Sequence, residues 1–163
     1  MTAIPRYNFI NPSRYPNFDV CWLDLLERFD YDTAMTLRNA NLQKVPVISI
    51  VDDDESVREA TRGLMRSMGY STATFASAEE FLKSERVHET SCLIADVQMP
   101  GMSGVELQSQ LIANGHRTPV IFITAFPEEK IRARALQAGA VGFLSKPFNE
   151  ECLIGCLEKA LNS

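Results

Sequence analysis

Val47-Ile48-Ser49-Ile50-Val51-Asp52-Asp53-Asp54-Glu55 is the stretch that decides the fold. Its first half is a short, almost continuously apolar run, the pattern of a strand covered on both faces in a parallel sheet. Its second half is wholly acidic. A buried parallel strand that closes on carboxylates delivers them to the carboxyl edge of the sheet, where open α/β sheets bind their ligands.

Outward from this stretch the pattern repeats. Three more apolar runs follow: Ser91-Cys92-Leu93-Ile94-Ala95, Pro119-Val120-Ile121-Phe122-Ile123 and Ala140-Val141-Gly142-Phe143-Leu144. A weaker run, Ser71 to Phe75, is rich in Thr and Ser and suits a sheet edge. Helical segments fill the gaps. The first carries Val57, Ala60, Leu64 and Met68 on one stripe and ends at Gly69. Ser77-Ala78-Glu79-Glu80 and Ser103-Gly104-Val105-Glu106 read as capping boxes that open the next two. A fourth follows Pro127 and stops at Gly139, and a fifth runs from about Glu150 through Leu153, Leu157 and Leu161. Five strands alternating with five helices predict an α/β fold with a doubly wound parallel sheet.

The ends of the strong runs carry the chemistry: Asp52 and Asp53, then Asp96, then Thr124, then Ser145-Lys146-Pro147. Side by side, these place three carboxylates, a hydroxyl and an ammonium in one crevice. Converging carboxylates repel, and a hard divalent cation relieves the repulsion. Mg²⁺ (or Mn²⁺) suits such a set, because Mg²⁺ is held by one or two carboxylates together with waters and a phosphate oxygen. Asp96 can then act as a nucleophile toward phosphorus, with Lys146 and Thr124 compensating charge on the phosphoryl oxygens. Taken singly the residues have plainer readings. Acids at a helix start favour the dipole, Asp96 before Met99-Pro100-Gly101 suits a turn, Thr124 suits an N-cap, Lys146 suits a loop and Phe143 suits the core.

Taken together, Val51-Asp52-Asp53, Asp96 to Gly104, Ile123-Thr124-Ala125 and Lys146-Pro147-Phe148 resemble the four motifs of response-regulator receiver domains of two-component signalling, in their order and spacing. The resemblance spans residues 46–163. It implies a CheY-like, flavodoxin-like five-stranded parallel sheet of order 2-1-3-4-5. It further implies Asp96 as phosphoacceptor, and Asp52, Asp53, Asp96 and the backbone carbonyl of Gln98 as metal ligands. Thr124 and Lys146 are implied to contact the phosphoryl group, Thr124 and Phe143 to act as the switch pair, and the Lys146–Pro147 bond to be cis. Phe143 has no hydroxyl, so its rotation would rest on packing. The implied partners are a sensor histidine kinase near the first helix, and a downstream protein or second copy on the helix 4–strand 5–helix 5 face. The implied role is a signalling switch whose only chemistry is its own phosphotransfer and autodephosphorylation.

A rival reading is a Mg²⁺-dependent phosphatase of the haloacid-dehalogenase type, whose D-x-D pattern Asp52-Asp53-Asp54 with Ser56 reproduces. Against it, no second acidic pair of the expected kind follows Lys146, and the motif from Asp96 to Pro100 goes unused. A net charge of −5 and the lack of a basic recognition helix argue against direct nucleic-acid binding. With no apolar run of about 18 residues and no secretory signal, the expectation is a cytoplasmic protein without a membrane span. The cysteines Cys21, Cys92, Cys152 and Cys156 form no C-x-x-C site and read as small residues in or near the core of a protein from a reducing compartment. His88 and His116 have no partner motif, and Arg58 and Arg62 read as solvent-facing.

Residues 1–45 differ in texture, with scattered Pro and Asn. They read as a poorly ordered N-terminal extension or a short helix over Val20 to Phe29; Trp22 is given no role. Met35 lies at a distance from the first strand that suits a translation start, leaving native translation of residues 1–34 open.

Overall fold

A computed structural model describes residues 45–162. The expected Val20–Phe29 helix, Trp22, Cys21 and the Met35 start lie outside the described residues.

The elements alternate as the periodicity requires. They are β1 (Val47–Val51), α1 (Glu55–Ser67), β2 (Ser71–Phe75), α2 (Ala78–Lys83), a 3₁₀ turn (Glu85–His88), β3 (Thr90–Asp96), α3 (Gly104–Ala113), β4 (Val120–Thr124), α4 (Glu129–Gln137), β5 (Gly142–Ser145) and α5 (Glu150–Leu161). The five strands form one sheet of order β2-β1-β3-β4-β5. All four pairings are parallel. This is the doubly wound 2-1-3-4-5 sheet expected from the sequence. β2, the run weakest in apolar residues, lies at an edge, where its Ser and Thr side chains escape full burial.

β1 and β4 are buried at every position, because helices cover both faces of the sheet. One core gathers Val51, Leu93, Phe81, Phe122 and Leu107, and the other Ile48, Ile50, Ile94, Ile121 and Leu153. Ser49, fully buried in β1, is satisfied by the hydroxyl of Thr90 at 2.7 Å.

Local signals set the helix ends. Asp54 caps α1 by accepting the Ser56 and Val57 amides, and Gly69 beyond it takes φ +85°, a conformation costly for any residue with a Cβ. Ser103 and Glu106 form the expected capping box of α3. At α2 the expectation is half met: Ser77 accepts from the Glu80 amide, but the Glu80 carboxylate reaches back to the Ala76 amide instead. The N-cap of α4 is Glu128, not Thr124.

Two other expectations are corrected, at Ala60 and at Cys152. In α1 the buried residues are Thr61 and Met65, with Ala60 exposed. Val57, Leu64 and Met68 of the expected stripe pack, partly buried, against the core of Ile50 and Ile94, and Val57, Ala60 and Leu64 border a groove of about 450 Å³ shared with Pro147 and Phe148. His88 and His116, distant in sequence, bring their rings to 5.1 Å. Of the described cysteines, Cys92 is buried and Cys156 half-buried, but Cys152 is exposed. Burial, and secondarily the nearby Cys156, pushes the Cys92 thiol up to about 12, which leaves it inert as a nucleophile.

Candidate functional site

The carboxyl edge of the sheet is where the chemistry converges. Asp96 is the last residue of β3 and Thr124 the last of β4; Asp52 follows β1 directly and Lys146 follows β5. Parallel strands in adjacent register deliver them to one edge: Asp96 pairs with Ile123, and Thr124 with Ser145. The Lys146–Pro147 bond is cis.

The Lys146 ammonium bridges two carboxylates, donating to Asp52 Oδ2 at 2.8 Å and to Asp96 Oδ2 at 2.7 Å. The other oxygens are held by backbone: Asp52 Oδ1 accepts from the Asp54 amide at 2.9 Å, and Asp96 Oδ1 from the Gln98 amide at 3.1 Å. Asp52 is fully buried, while Asp53 is exposed at the mouth. Burial raises the Asp52 pKa, and the hydrogen bonds from Lys146 and the Asp54 amide offset this only in part. For Lys146, burial disfavours the ammonium, yet its hydrogen bonds to Asp52 and Asp96 outweigh that cost and raise its pKa.

One oxygen each from Asp52, Asp53 and Asp96 can be chosen such that all lie within 4.8 Å of one another. Three carboxylates and one ammonium leave a formal charge of two negatives (−3 + 1 = −2), with hard oxygen donors only. This set fits a divalent hard cation of the Mg²⁺ type. The Gln98 residue is exposed in the loop after β3.

Thr124 is fully buried, and its Oγ1 accepts from the Phe126 amide at 3.2 Å. Phe143 is half-buried on β5, with its ring centroid 6.1 Å from that of Phe122. Thr124 closes β4 and Phe143 lies on the neighbouring β5, paired in register with Phe122.

Two residues at the site escaped the sequence reading. Arg58 is half-buried rather than solvent-facing, and its Nη1 donates to the Asp52 carbonyl at 2.6 Å. Arg62 does remain at the surface, paired with Glu59 at 3.1 Å. Glu79, which the sequence places only within the capping-box stretch Ser77 to Glu80, accepts the Met102 amide at 2.9 Å across to the loop after Asp96. No pattern in the sequence signals either contact, since both depend on how two elements meet.

Residues 48–158 match the family model of the response regulator receiver domain. The response regulator protein TodT of Pseudomonas putida is 44% identical over 118 residues, which cover 72% of this chain and 52% of TodT. Among solved structures, the crystal structure of FixJ-N aligns with TM-score 0.66 and 33% identity, covering 74% of this chain and 96% of that one. Chemotaxis protein CheY4 of Vibrio cholerae aligns with TM-score 0.65 and 28% identity, covering 72% and 100%. The chain belongs to the response regulator receiver domains. Its place is therefore in two-component signalling, and the acidic cluster has the donors for the Mg²⁺ that receiver domains bind.

The chain spans about half the length of the curated relatives it matches. The phosphatase reading finds no support among them, and Asp54, the second acid of its D-x-D pattern, is occupied as the cap of α1. Among the described residues no helix is long and apolar enough to cross a membrane.

Proposed function

We propose that this receiver accepts a phosphoryl group from a sensor histidine kinase on Asp96 and relays the event through its α4–β5–α5 face. The observation that carries the reading is the Lys146 ammonium joined at once to Asp96 and Asp52, beside a three-carboxylate cluster.

In this reading an Asp96 oxygen attacks phosphorus as the bond to the donor imidazole nitrogen breaks, leaving an aspartyl phosphate and a free imidazole. Lys146 would exchange its contact to Asp96 for one to a phosphoryl oxygen, so its charge is already in place when negative charge builds. Thr124 would release the Phe126 amide and donate its hydroxyl to another phosphoryl oxygen. Asp52, Asp53, Asp96 and the Gln98 carbonyl would hold Mg²⁺ (or Mn²⁺). When bound, the cation offsets the charge of the carboxylates and the phosphoryl group.

The groove between α1 and the start of α5 supports the choice of donor. It is lined by Val57, Ala60, Leu64, Pro147 and Phe148, with Lys146 at its edge. An apolar helix face presenting a phosphohistidine matches that lining. On the output side, Phe143 would turn toward the space vacated by Thr124 and alter the α4–β5–α5 surface, to which a downstream protein or second copy would bind. The acidic receiver would act on nucleic acid only through such partners, and its site of action would be the cytoplasm.

The test is Asp96→Asn. Incubated with acetyl phosphate and Mg²⁺, the parent chain gains one acid-stable, base-labile phosphoryl group and the variant gains none. Undiminished labelling of Asp96→Asn would remove Asp96 as the acceptor, and turnover of external phosphate esters would revive the phosphatase.

A further inference from the structure

Asp96 is followed by a loop that must fold back sharply before α3 can begin. Val97 is tied to β4 by its amide, which donates to the Ile123 carbonyl at 3.0 Å, and the Gly104 amide closes the loop on the Val97 carbonyl at 3.0 Å. Ser103 is fixed by its own capping box. Between these anchors lie Gln98 to Met102, including Gly101 at φ +78°. At its start the Gln98 amide donates to Asp96 Oδ1 at 3.1 Å, and at its far end Glu79 reaches in from α2, its Oε1 accepting the Met102 amide at 2.9 Å over a sequence separation of 23 residues. Gly101 leaves room for it, because a Cβ there would lie 2.7 Å from the same oxygen.

We propose that Glu79 is a positioning residue of the phosphorylation site. Its carboxylate anchors the loop at Met102 and so sets the backbone carbonyl of Gln98 toward the cation held by Asp52, Asp53 and Asp96. This rests on the metal-ligand reading given above. Hydrogen bonds donated by its own backbone amide and by the Met102 amide hold the Glu79 carboxyl below its usual pKa. α2 thereby becomes a strut for the metal site, although none of its own side chains enters the acidic cluster. Groups that orient metal ligands from outside commonly alter metal affinity by about tenfold or more when removed.

Two substitutions separate geometry from charge. Glu79→Asp keeps the charge but withdraws the oxygen by one methylene; Glu79→Gln loses the charge but keeps an acceptor at full reach. Mg²⁺ is titrated calorimetrically into the full chain without any phosphodonor, and thermal unfolding is recorded alongside. Glu79→Asp is expected to bind Mg²⁺ about tenfold more weakly, Glu79→Gln within about twofold of the parent, with faster hydrogen exchange at the Met102 amide in the Asp variant alone. Mg²⁺ affinity unchanged in Glu79→Asp overturns the proposal, as does an equal loss in both variants, which would make Glu79 a charge and not a strut. A parent chain that binds no Mg²⁺, or binds it undiminished after Asp53→Asn, would instead overturn the metal-ligand reading itself.

Discussion

Replacing Lys146 with Met removes the cation that joins Asp52 to Asp96 while keeping most of the aliphatic stem. At 2.7 and 2.8 Å, each contact has a gross attraction of about 6 kcal/mol at an effective dielectric constant of about 20. Much of that is cancelled, because the ammonium and both carboxylates surrendered hydration to form the pair. Breaking one side of a buried pair costs about 3–5 kcal/mol. The Lys146 side chain retains 16% exposure, so the lower end applies, about 3 kcal/mol. The loss is read by urea unfolding in EDTA. Magnesium supplies a second reading, since a cation at ten times its Kd stabilises by about 1.4 kcal/mol. With the ammonium gone, the carboxylates bind Mg²⁺ more tightly, and about fivefold tighter binding adds about 1 kcal/mol to that increment. Lys146→Met should therefore recover more stability from Mg²⁺ than the parent does, yet accept phosphoryl groups poorly. A loss below about 1 kcal/mol in EDTA, or a smaller Mg²⁺ increment in the variant, would mean that Lys146 does not hold the two carboxylates together.

Burial lifts the Asp52 pKa above its ordinary 3.8, so the folded state binds that proton more tightly than the unfolded state does. Its contribution to metal-free stability is full below 3.8 and is lost as pH rises through the folded value, so Asp52→Asn should unfold at higher urea than the parent at about pH 7. Equal midpoints across that range in EDTA would contradict it. A Cβ at Gly104 would strike the Asp96 carbonyl, with Phe122 close behind. Gly104→Ala should thus lose about 3 kcal/mol or more and slow phosphorylation by acetyl phosphate, and a variant normal in both thermal melting and labelling would exclude that close approach. Beryllofluoride with Mg²⁺ should shift the NMR signals of Thr124, Phe143 and the α4–β5–α5 face together; shifts confined to the acidic cluster would leave the switch without a route outward.

Much of the receiver was legible because its information is local. Short, β-branched apolar runs alternating with helical segments fit strands buried on both faces, and the residue closing each such run then stands at the sheet's carboxyl edge. Asp52, Asp96, Thr124 and Lys146 were legible on that ground, and so was the edge position of β2. The α1 stripe was legible at Val57, Leu64 and Met68, which pack against the core, but not at Ala60, which is exposed beside the groove at Pro147 and Phe148 while Thr61 and Met65 take the fully buried positions. Periodicity records that a face is apolar; it does not record what covers it.

The alternation of elements, the parallel sheet and the kinds of chemical group at its edge are all written locally, since each follows from side chains within one segment. It took the folded chain to show that one ammonium serves both Asp52 and Asp96, that Arg58 turns inward to the Asp52 carbonyl, and that Glu79 reaches the loop after Asp96. Those contacts join segments that the chain keeps apart, and their geometry is set by strand register and helix placement, which no single segment encodes.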